Sequence, residues 1–541
     1  MEAHDTDVVP QWPTSNLAAL VTAAARARPD AEALVDERRR LSWAELAHEC
    51  AAVAAGLSRL GLVAGHRVAI LLGNRAEFVT SYLGALGAGF VAVPMNHRAP
   101  TGEIVRVLAD AQARVVVCDG ATVTGARAAV SGLADALQGA DEELRSRTVV
   151  PQVVVVDAPA LPAEHAYADL AATASTHVPS PQDPETLAAL LYTAGTSGQP
   201  RAAMLPHRSL LANIEQAAAL SPPPLQRDDR VLGLVPMFHV YGLNAVLGQV
   251  LRQRACLVLA ERFDAEGTLA LIRDESITNV PVAPPVLTAW AAREDLRERL
   301  AGVRTVLSGA SALGPEVARR FEQAAGITVQ QGYGLTEAAP VLTTTLASTG
   351  AAKPASVGRA LPGVEIRIAD ETGAETEDQD PGEVWVRGAN LFCGYWPTGE
   401  GGPRPDGWYA TGDIGYLDAD GDLFLVDRRK EIVIVSGFNV YPVEVEEAIV
   451  EVGGVAEVAV IGAPADDTGE AVVAYVVPDP VSGLSAERLA ADVREHCEAR
   501  LAPFKRPREV HVVDGLPHSV SGKVAKGRLR DTERRRAMGL A

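Results

Sequence analysis

The sequence predicts an α/β protein: a large N-terminal domain of mixed α/β subdomains ending in a β-rich subdomain, then a small α+β C-terminal domain. Three observations predict it. A chain of 541 residues exceeds what one hydrophobic core serves, so at least two domains are expected. Helical and strand-like patterns alternate in the first part of the chain, the rhythm of βαβ units with a largely parallel sheet. From Glu431 onward the pattern changes to that of a compact α+β unit.

Taken in order, Asn16 to Arg26 has the apolar spacing of an amphipathic helix, with Pro29 as a stop signal. Arg67–Leu72 and Val115–Cys118 read as buried strands, and Ala76–Ala85 as the helix after the first. The stretch from Asp157 to Thr186, rich in Pro, Ala and Ser, reads as a connector. Leu187–Tyr192 is strand-like, and a second α/β stretch runs from about Arg230 to Pro340. Short strands follow at Val364–Ala369, Gly382–Arg387 and Leu423–Val426, with an exposed loop at Pro397–Pro403. The last part contains a helix at Pro442–Val450, strands at Val455–Ile461 and Ala471–Val477, and a helix starting near Ser485. There Leu489, Val493, Cys497 and Leu501 recur every fourth residue, which makes Cys497 a core residue rather than a reactive one.

Composition narrows the classes. Hydrophobic residues are 48% and charged residues 22%, the profile of a soluble globular protein. The first residues carry acids and prolines where a signal peptide needs basic and apolar ones, and no apolar run reaches the length of a membrane span. Five scattered cysteines without a CxxC pair argue for a reducing cytoplasmic location and against a cysteine metal site. A net charge of −20 argues against nucleic acid as a bulk partner. The charge is uneven: from Arg500 to Ala541 there are 11 Lys and Arg against 4 Asp and Glu, so the rest of the chain carries −27.

The most informative segment begins where the strand Leu187–Tyr192 ends. Gly195 and Gly198 alternate with the hydroxyls of Thr193, Thr196 and Ser197, and Arg201 closes the loop. Glycines let backbone N–H groups converge on an anion, and hydroxyls add donors, so the segment is a candidate phosphate loop. It is not a Walker A loop: the Gly522-Lys523 pair is followed by Val524 rather than Ser or Thr.

This loop resembles the TSGTTGxPKG phosphate loop of the adenylate-forming superfamily, in its acyl-CoA synthetase branch. Further segments match that family in its order: Pro236-Met-Phe-His239, Gln331-Gly-Tyr-Gly-Leu-Thr-Glu337, Gly382-Glu-Val-Trp-Val-Arg-Gly388, Gly407-Trp-Tyr-Ala-Thr-Gly-Asp413, Asp427-Arg-Arg-Lys430, Ser436-Gly-Phe-Asn-Val-Tyr-Pro442, Lys505-Arg-Pro507 and Pro517-His-Ser-Val-Ser-Gly-Lys523. The resemblance covers nearly the whole chain. It implies a fatty acid–CoA ligase that uses ATP, Mg²⁺ and coenzyme A, with a large domain over residues 1–429 and a small mobile domain over 430–541, hinged at Lys430.

Roles follow residue by residue from the resemblance. Thr193, Gly195, Thr196, Ser197, Gly198 and Arg201 would hold phosphates; Thr336 would contact the α-phosphate and Glu337 would ligate Mg²⁺. Gly332, Tyr333 and Gly334 would form the adenine shelf, flanked by Gly309, Ala310 and Ser311. Asp413 would accept from the ribose hydroxyls and Arg428 would bind ribose or phosphate. Lys523 would contact the reacting carboxylate and α-phosphate, as a point charge on a flexible stem can. Gly437 and Phe438 would line the thiol tunnel, and His239 would gate the acid pocket or pack as a core histidine.

One departure stands out. The family's phosphate-loop lysine is Arg201 here, followed by Ala202 where glycine is common; the positive charge is kept, and retained activity is expected. Amino-acid-activating members of the family carry an aspartate near Phe238–Tyr241, and malonate-activating members a cation in the acid pocket. No acid lies between Pro236 and Leu251 and no cation in the expected pocket segment Val280–Trp290, so the resemblance argues against amino acids and dicarboxylates as substrates. An apolar monocarboxylate is expected, a medium- or long-chain fatty acid first and an aryl acid second. Acyl transfer to an acyl carrier protein, a homodimer, and a non-enzymatic sensor with a degenerate adenylate site are left open.

Overall fold

The computed structural model describes residues 15–138, 149–173, 183–193, 201–349, 353–370, 373–376, 380–428, 431–435, 438–465, 469–518 and 523–537. The chain forms two compact units. The first runs up to Gly350 and includes Gly358–Glu365 and Arg387–Trp408; the second comprises Ala351–Val357, Ile366–Val386 and Tyr409–Ala541.

The first unit holds two large sheets. In the seven-stranded sheet the strand order is His165–Ala166, Gln152–Val156, Ala113–Asp119, Arg67–Leu71, Val91–Pro94, Leu187–Thr193 and Arg201–Pro206. All neighbours are parallel except the last pair, which is antiparallel. Val68, Ala69, Ile70 and Leu71 are wholly buried, as a strand covered on both faces requires. The nine-stranded sheet runs parallel through Glu32–Val35, Cys256–Leu259, Arg230–Gly233, Asn279–Val282, Thr305–Ser308 and Val329–Gly334, with antiparallel strands at both edges. The expected βαβ architecture is thus present.

Two local expectations differ. The first helix spans Ala19–Ala27, not Asn16 onward, because the Asn16 side chain turns back to accept from Ala18 N–H and to donate to the Leu86 carbonyl. The connector expected from Asp157 to Thr186 contains the short strand His165–Ala166 and the helix Tyr167–Ala171. The strand pairs parallel with Gln152–Val156, and the helix is held by a distant contact: Leu170 packs so closely on Gly56 that a Cβ there would lie 2.8 Å from the Leu170 Cβ.

A four-stranded sheet, whose residues within Ile366–Val386 and from Tyr409 onward belong to the second unit, has the order Val364–Ala369, Gly382–Gly388, Tyr409–Leu417 and Leu423–Arg428. The second unit also contains a five-stranded sheet in which Gly469–Pro478 pairs antiparallel with Val455–Ala465 and parallel with Glu509–Val512. The helices Pro442–Val450, Ala486–Arg500 and Lys526–Ala537 complete the α+β pattern, and Leu489, Val493, Cys497 and Leu501 are core residues as their spacing predicts. Ser485 caps the second of these helices by accepting from Arg488 N–H.

Candidate active site

The candidate phosphate loop is held by a β-hairpin. Leu187–Thr193 and Arg201–Pro206 pair antiparallel with Thr193 opposite Arg201, so the two ends of the loop meet at the sheet edge. The loop itself, with Gly195, Thr196, Ser197 and Gly198, lies outside the described residues. Segment 393–396 runs along the exit strand: Cys393 N–H donates to the Met204 carbonyl, Met204 N–H to the Gly394 carbonyl, and Trp396 N–H to the Ala202 carbonyl, at 2.9–3.0 Å. Ala202 is buried, with Trp396 packed against the same core, so a small side chain suits this exit.

The second element is the turn Thr336–Ala338, which follows the strand Val329–Gly334. Glu337 is only 9% exposed, and its Oε1 accepts a 2.6 Å hydrogen bond from the Tyr395 hydroxyl. Three buried asparagines fix the chain just beyond it. Asn390 donates to the Ala338 carbonyl at 2.8 Å, Asn244 to the Ala339 carbonyl at 2.6 Å, and Asn213 to the Val341 carbonyl at 2.7 Å. Asn213 also accepts from Val341 N–H, imitating a strand partner. Ala339 has a positive φ of 63°, a conformation that costs an alanine about 1–2 kcal/mol, and the Asn244 bond to its carbonyl helps hold it.

Gly332 and Gly334 are needed for close approach. Gly334 packs on Pro340 so tightly that a Cβ would lie 2.1 Å from the Pro340 carbonyl oxygen, and at Gly332 it would lie 3.1 Å from that of Thr343. Tyr333 between them is buried. Gly309 follows the strand Thr305–Ser308 and faces the Tyr241 ring, 3.0 Å from where a Cβ would stand; Ala310 beside it takes a φ of 69°. Gly309 and Ala310 thus follow the end of one strand, and Gly332, Tyr333 and Gly334 are the last residues of its parallel neighbour in the same sheet.

His239 sits where the chain enters a π-helix, Tyr241–Gly248. Its Nδ1 accepts from Tyr241 N–H at 3.3 Å. Gly242 lies within this turn, where a Cβ would meet the Val235 and Pro236 carbonyls at 2.6 and 2.5 Å. Asn74 clamps the preceding segment, donating to the Gly233 and Val235 carbonyls and accepting from Met237 N–H. By contrast Val280, Val282, Leu287 and Trp290 are core residues, so packing accounts for their apolar character.

In the second unit Asp413 is buried on the strand Tyr409–Leu417 and stands opposite Arg428 in the antiparallel ladder. Lys523 is exposed beside the bridge that joins His518 to Val524. Lys430 and Gly437 lie outside the described residues, as do the side chains of Arg428 and Phe438.

Comparison with known proteins then decides the family. The model of AMP-binding enzymes matches residues 21–396, and that of the AMP-binding enzyme C-terminal domain matches residues 444–523. The chain belongs to the AMP-binding enzyme family. This AMP-binding enzyme is 32% identical to a long-chain-fatty-acid–CoA ligase of Bacillus subtilis strain 168, over 96% of its own length and 95% of the relative's. It is 33% identical to 4-coumarate–CoA ligase-like 9 of Oryza sativa subsp. japonica, over 94% and 91%. Among solved structures it resembles ATP-bound MatB from Rhodopseudomonas palustris, with a TM-score of 0.85, 31% identity, and coverage of 96% of this chain and 99% of that one. The AMP-binding enzyme is therefore an acyl-CoA synthetase of the adenylate-forming superfamily, with adenylate-forming CoA ligase activity. Among its described residues, no helix is long and apolar enough to cross a membrane.

Sequence reasoning missed several residues that shape the site of this AMP-binding enzyme. Sequence reasoning gives Tyr395 no role, although a tyrosine directly after Gly394 and beside Trp396 is a dense aromatic signal. Asn213, Asn244 and Asn390 were legible only as polar interruptions of apolar stretches. Their partners are backbone carbonyls from 52 to 128 residues away, which no local pattern reveals.

Proposed function

We propose that this acyl-CoA synthetase activates an apolar monocarboxylic acid, a medium- or long-chain fatty acid in the first instance. The acid's carboxylate oxygen attacks the α-phosphorus of ATP, the bond to the bridging oxygen of pyrophosphate breaks, and an acyl-adenylate forms. The CoA thiol then loses its proton and attacks the acyl carbon, and AMP leaves with the electron pair of the broken C–O bond. Activation is needed because an untreated carboxylate has no competent leaving group, whereas AMP is one.

The observation that carries this reading is the chemistry around Glu337: a nine-tenths buried carboxylate with one oxygen engaged by a phenol, next in the chain to Thr336 and beyond the glycine-flanked Tyr333. One carboxylate fits Mg²⁺, which keeps waters and takes substrate phosphates as its remaining ligands. When bound there, the ion would offset the charge of the departing pyrophosphate. Glu337 would hold it, Arg201 and the loop from Thr193 would grip the phosphates, and Tyr333 would stack on adenine between Gly309 and the glycines at 332 and 334. Asp413 and Arg428 would bind the ribose, and Lys523 would neutralise the reacting carboxylate and α-phosphate. The domain boundary is proposed at Lys430, as a hinge between 1–429 and 430–541 that would bring Gly437 and Phe438 to the thiol in the second half-reaction.

A second acid class, aryl acids, is favoured by one contact: the Tyr241 ring stands close to Gly309, where a Cβ would lie 3.0 Å from its Cε1 and Cζ, and an aromatic ring there suits a planar substrate. Pyrophosphate release with ATP and Mg²⁺ across chain lengths and aryl acids, with and without CoA, tests both. Release that rises with CoA in one fatty-acid window, with the thioester seen by mass, supports the first reading; confinement to aryl acids supports the second. Acid-dependent release without any acyl-CoA would replace CoA by a carrier protein, and no release with any acid would favour the sensor alternative.

A further inference from the structure

Tyr395 touches two charged groups of the site at once. Its hydroxyl donates to Glu337 Oε1 at 2.6 Å, and the guanidinium of Arg201 covers its ring face with the central carbon 3.7 Å from the ring centroid. Both contacts are built in by the backbone. Ala203 and Tyr395 form an antiparallel bridge, which places the tyrosine beside the strand that begins at Arg201. Phe392 meets the Tyr395 ring edge-on at 5.1 Å and donates its own N–H to the Glu337 carbonyl at 2.9 Å. Gly401, at a φ of 70°, closes the seat: a Cβ there would stand 3.1 Å from Tyr395 Cδ2 and 3.2 Å from Arg201 Nη2.

We propose that Tyr395 is a positioning residue for the metal–triphosphate end of ATP, holding the Glu337 carboxylate by its hydroxyl and the Arg201 guanidinium by its ring. A phenol donating to one carboxylate oxygen fixes the plane of the group and leaves the second oxygen to face a cation. A planar guanidinium stacks on an aromatic face, which a compact ammonium does not match, so this seat suits arginine at position 201. The tyrosine also stands between the two opposite charges. It keeps each aimed at the nucleotide instead of collapsing them into a direct ion pair. The inference rests on the proposed role of Glu337 as the Mg²⁺ ligand.

The test is calorimetric titration of the full-length protein with ATP, once with Mg²⁺ and once with EDTA, and with AMP as the reference that lacks the β- and γ-phosphates. In the wild type Mg²⁺ tightens ATP binding. Tyr395→Phe keeps the ring and removes the hydroxyl. It is expected to cut the Mg²⁺-dependent gain roughly tenfold, the value of a hydrogen bond to a charged group, while binding of AMP, and of ATP in EDTA, stays unchanged. Tyr395→Leu, which also removes the stacking face, is expected to weaken ATP binding in EDTA by roughly three- to fivefold as well. An undiminished Mg²⁺ gain in Tyr395→Phe overturns the proposal. So does an equal loss for ATP and AMP, which a merely structural role would produce. A wild type whose ATP affinity ignores Mg²⁺ would instead remove the metal role of Glu337, a failure of the underlying reading that is visible before any variant is made.

Discussion

Replacing Asn244 by leucine tests how the site's central turn is held. Asn244 is 1% exposed, and its amide donates to the carbonyls of Ala339 and Leu210, at 2.6 and 3.0 Å. Leucine has a similar volume, so the change is mainly chemical. The Leu210 carbonyl lies inside the helix His207–Ala218, where the ladder supplies another donor. The Ala339 carbonyl loses its side-chain partner in a fully buried place, a cost of about 1–3 kcal/mol. Asn244 Oδ1 has no partner among the described residues, and leucine removes that unpaired acceptor, so the net cost falls to about 1–2 kcal/mol. Asn244→Asp removes the same donor and sets carboxylate oxygens against carbonyl oxygens, so it should be the more damaging change at neutral pH. Urea unfolding followed by tryptophan fluorescence measures the order, wild type above leucine above aspartate. Because the Ala339 carbonyl ends the turn that carries Glu337, the KM for ATP should rise severalfold in both variants with a smaller change in kcat. A cost below about 0.5 kcal/mol for leucine, or an aspartate variant as stable as leucine, would refute the reasoning.

Other outcomes follow from the same structure. Burial pushes His207 down to about 4, and its Nδ1 accepts from Leu17 N–H, so the folded protein holds it neutral. Between pH 6.5 and 4 the unfolded chain binds the proton and the folded one does not, so stability falls as pH falls through this window, by about 3 kcal/mol in all. Thermal unfolding against pH should show that slope, and His207→Gln should flatten it; a variant with the wild-type slope would assign the dependence elsewhere. Lys523→Ala is expected to abolish pyrophosphate release from acid and ATP yet spare thioester formation from supplied acyl-adenylate. Equal loss of both half-reactions would remove its proposed role. Gly334→Ala should lose ATP binding and stability together, since its Cβ would lie 2.1 Å from the Pro340 oxygen; unaltered calorimetric binding would show that this backbone gives way.

Much of the fold was legible because its signals are local. A run such as Arg67–Leu71 announces a buried strand by continuous apolar character, and Pro442–Val450 announces a helix by the proline at its first position. The candidate site was set out in short motifs, the glycines and hydroxyls after Leu187–Tyr192 and the Thr336-Glu337 pair after Gly334; the structure describes the second of these, and residues 194–200 of the first lie outside the described residues. The apolar stretch Val280–Trp290 places Val280, Val282, Val286, Leu287 and Trp290 in the core, and its composition alone does not separate core from pocket, because the same residue types serve both.

By itself, then, the sequence determined the α/β class, the strand that leads into the candidate phosphate loop and the order of the motifs, since each depends on residues adjacent along the chain; the return strand Arg201–Pro206 that makes a hairpin of it came only with the structure. Only the tertiary structure decided that Tyr395 joins Arg201 to Glu337, and that three asparagines fix the backbone from Ala338 to Val341. A buried donor must find an acceptor, but which carbonyl it finds is set by how distant segments pack, and packing is a property of the whole core rather than of any window of residues.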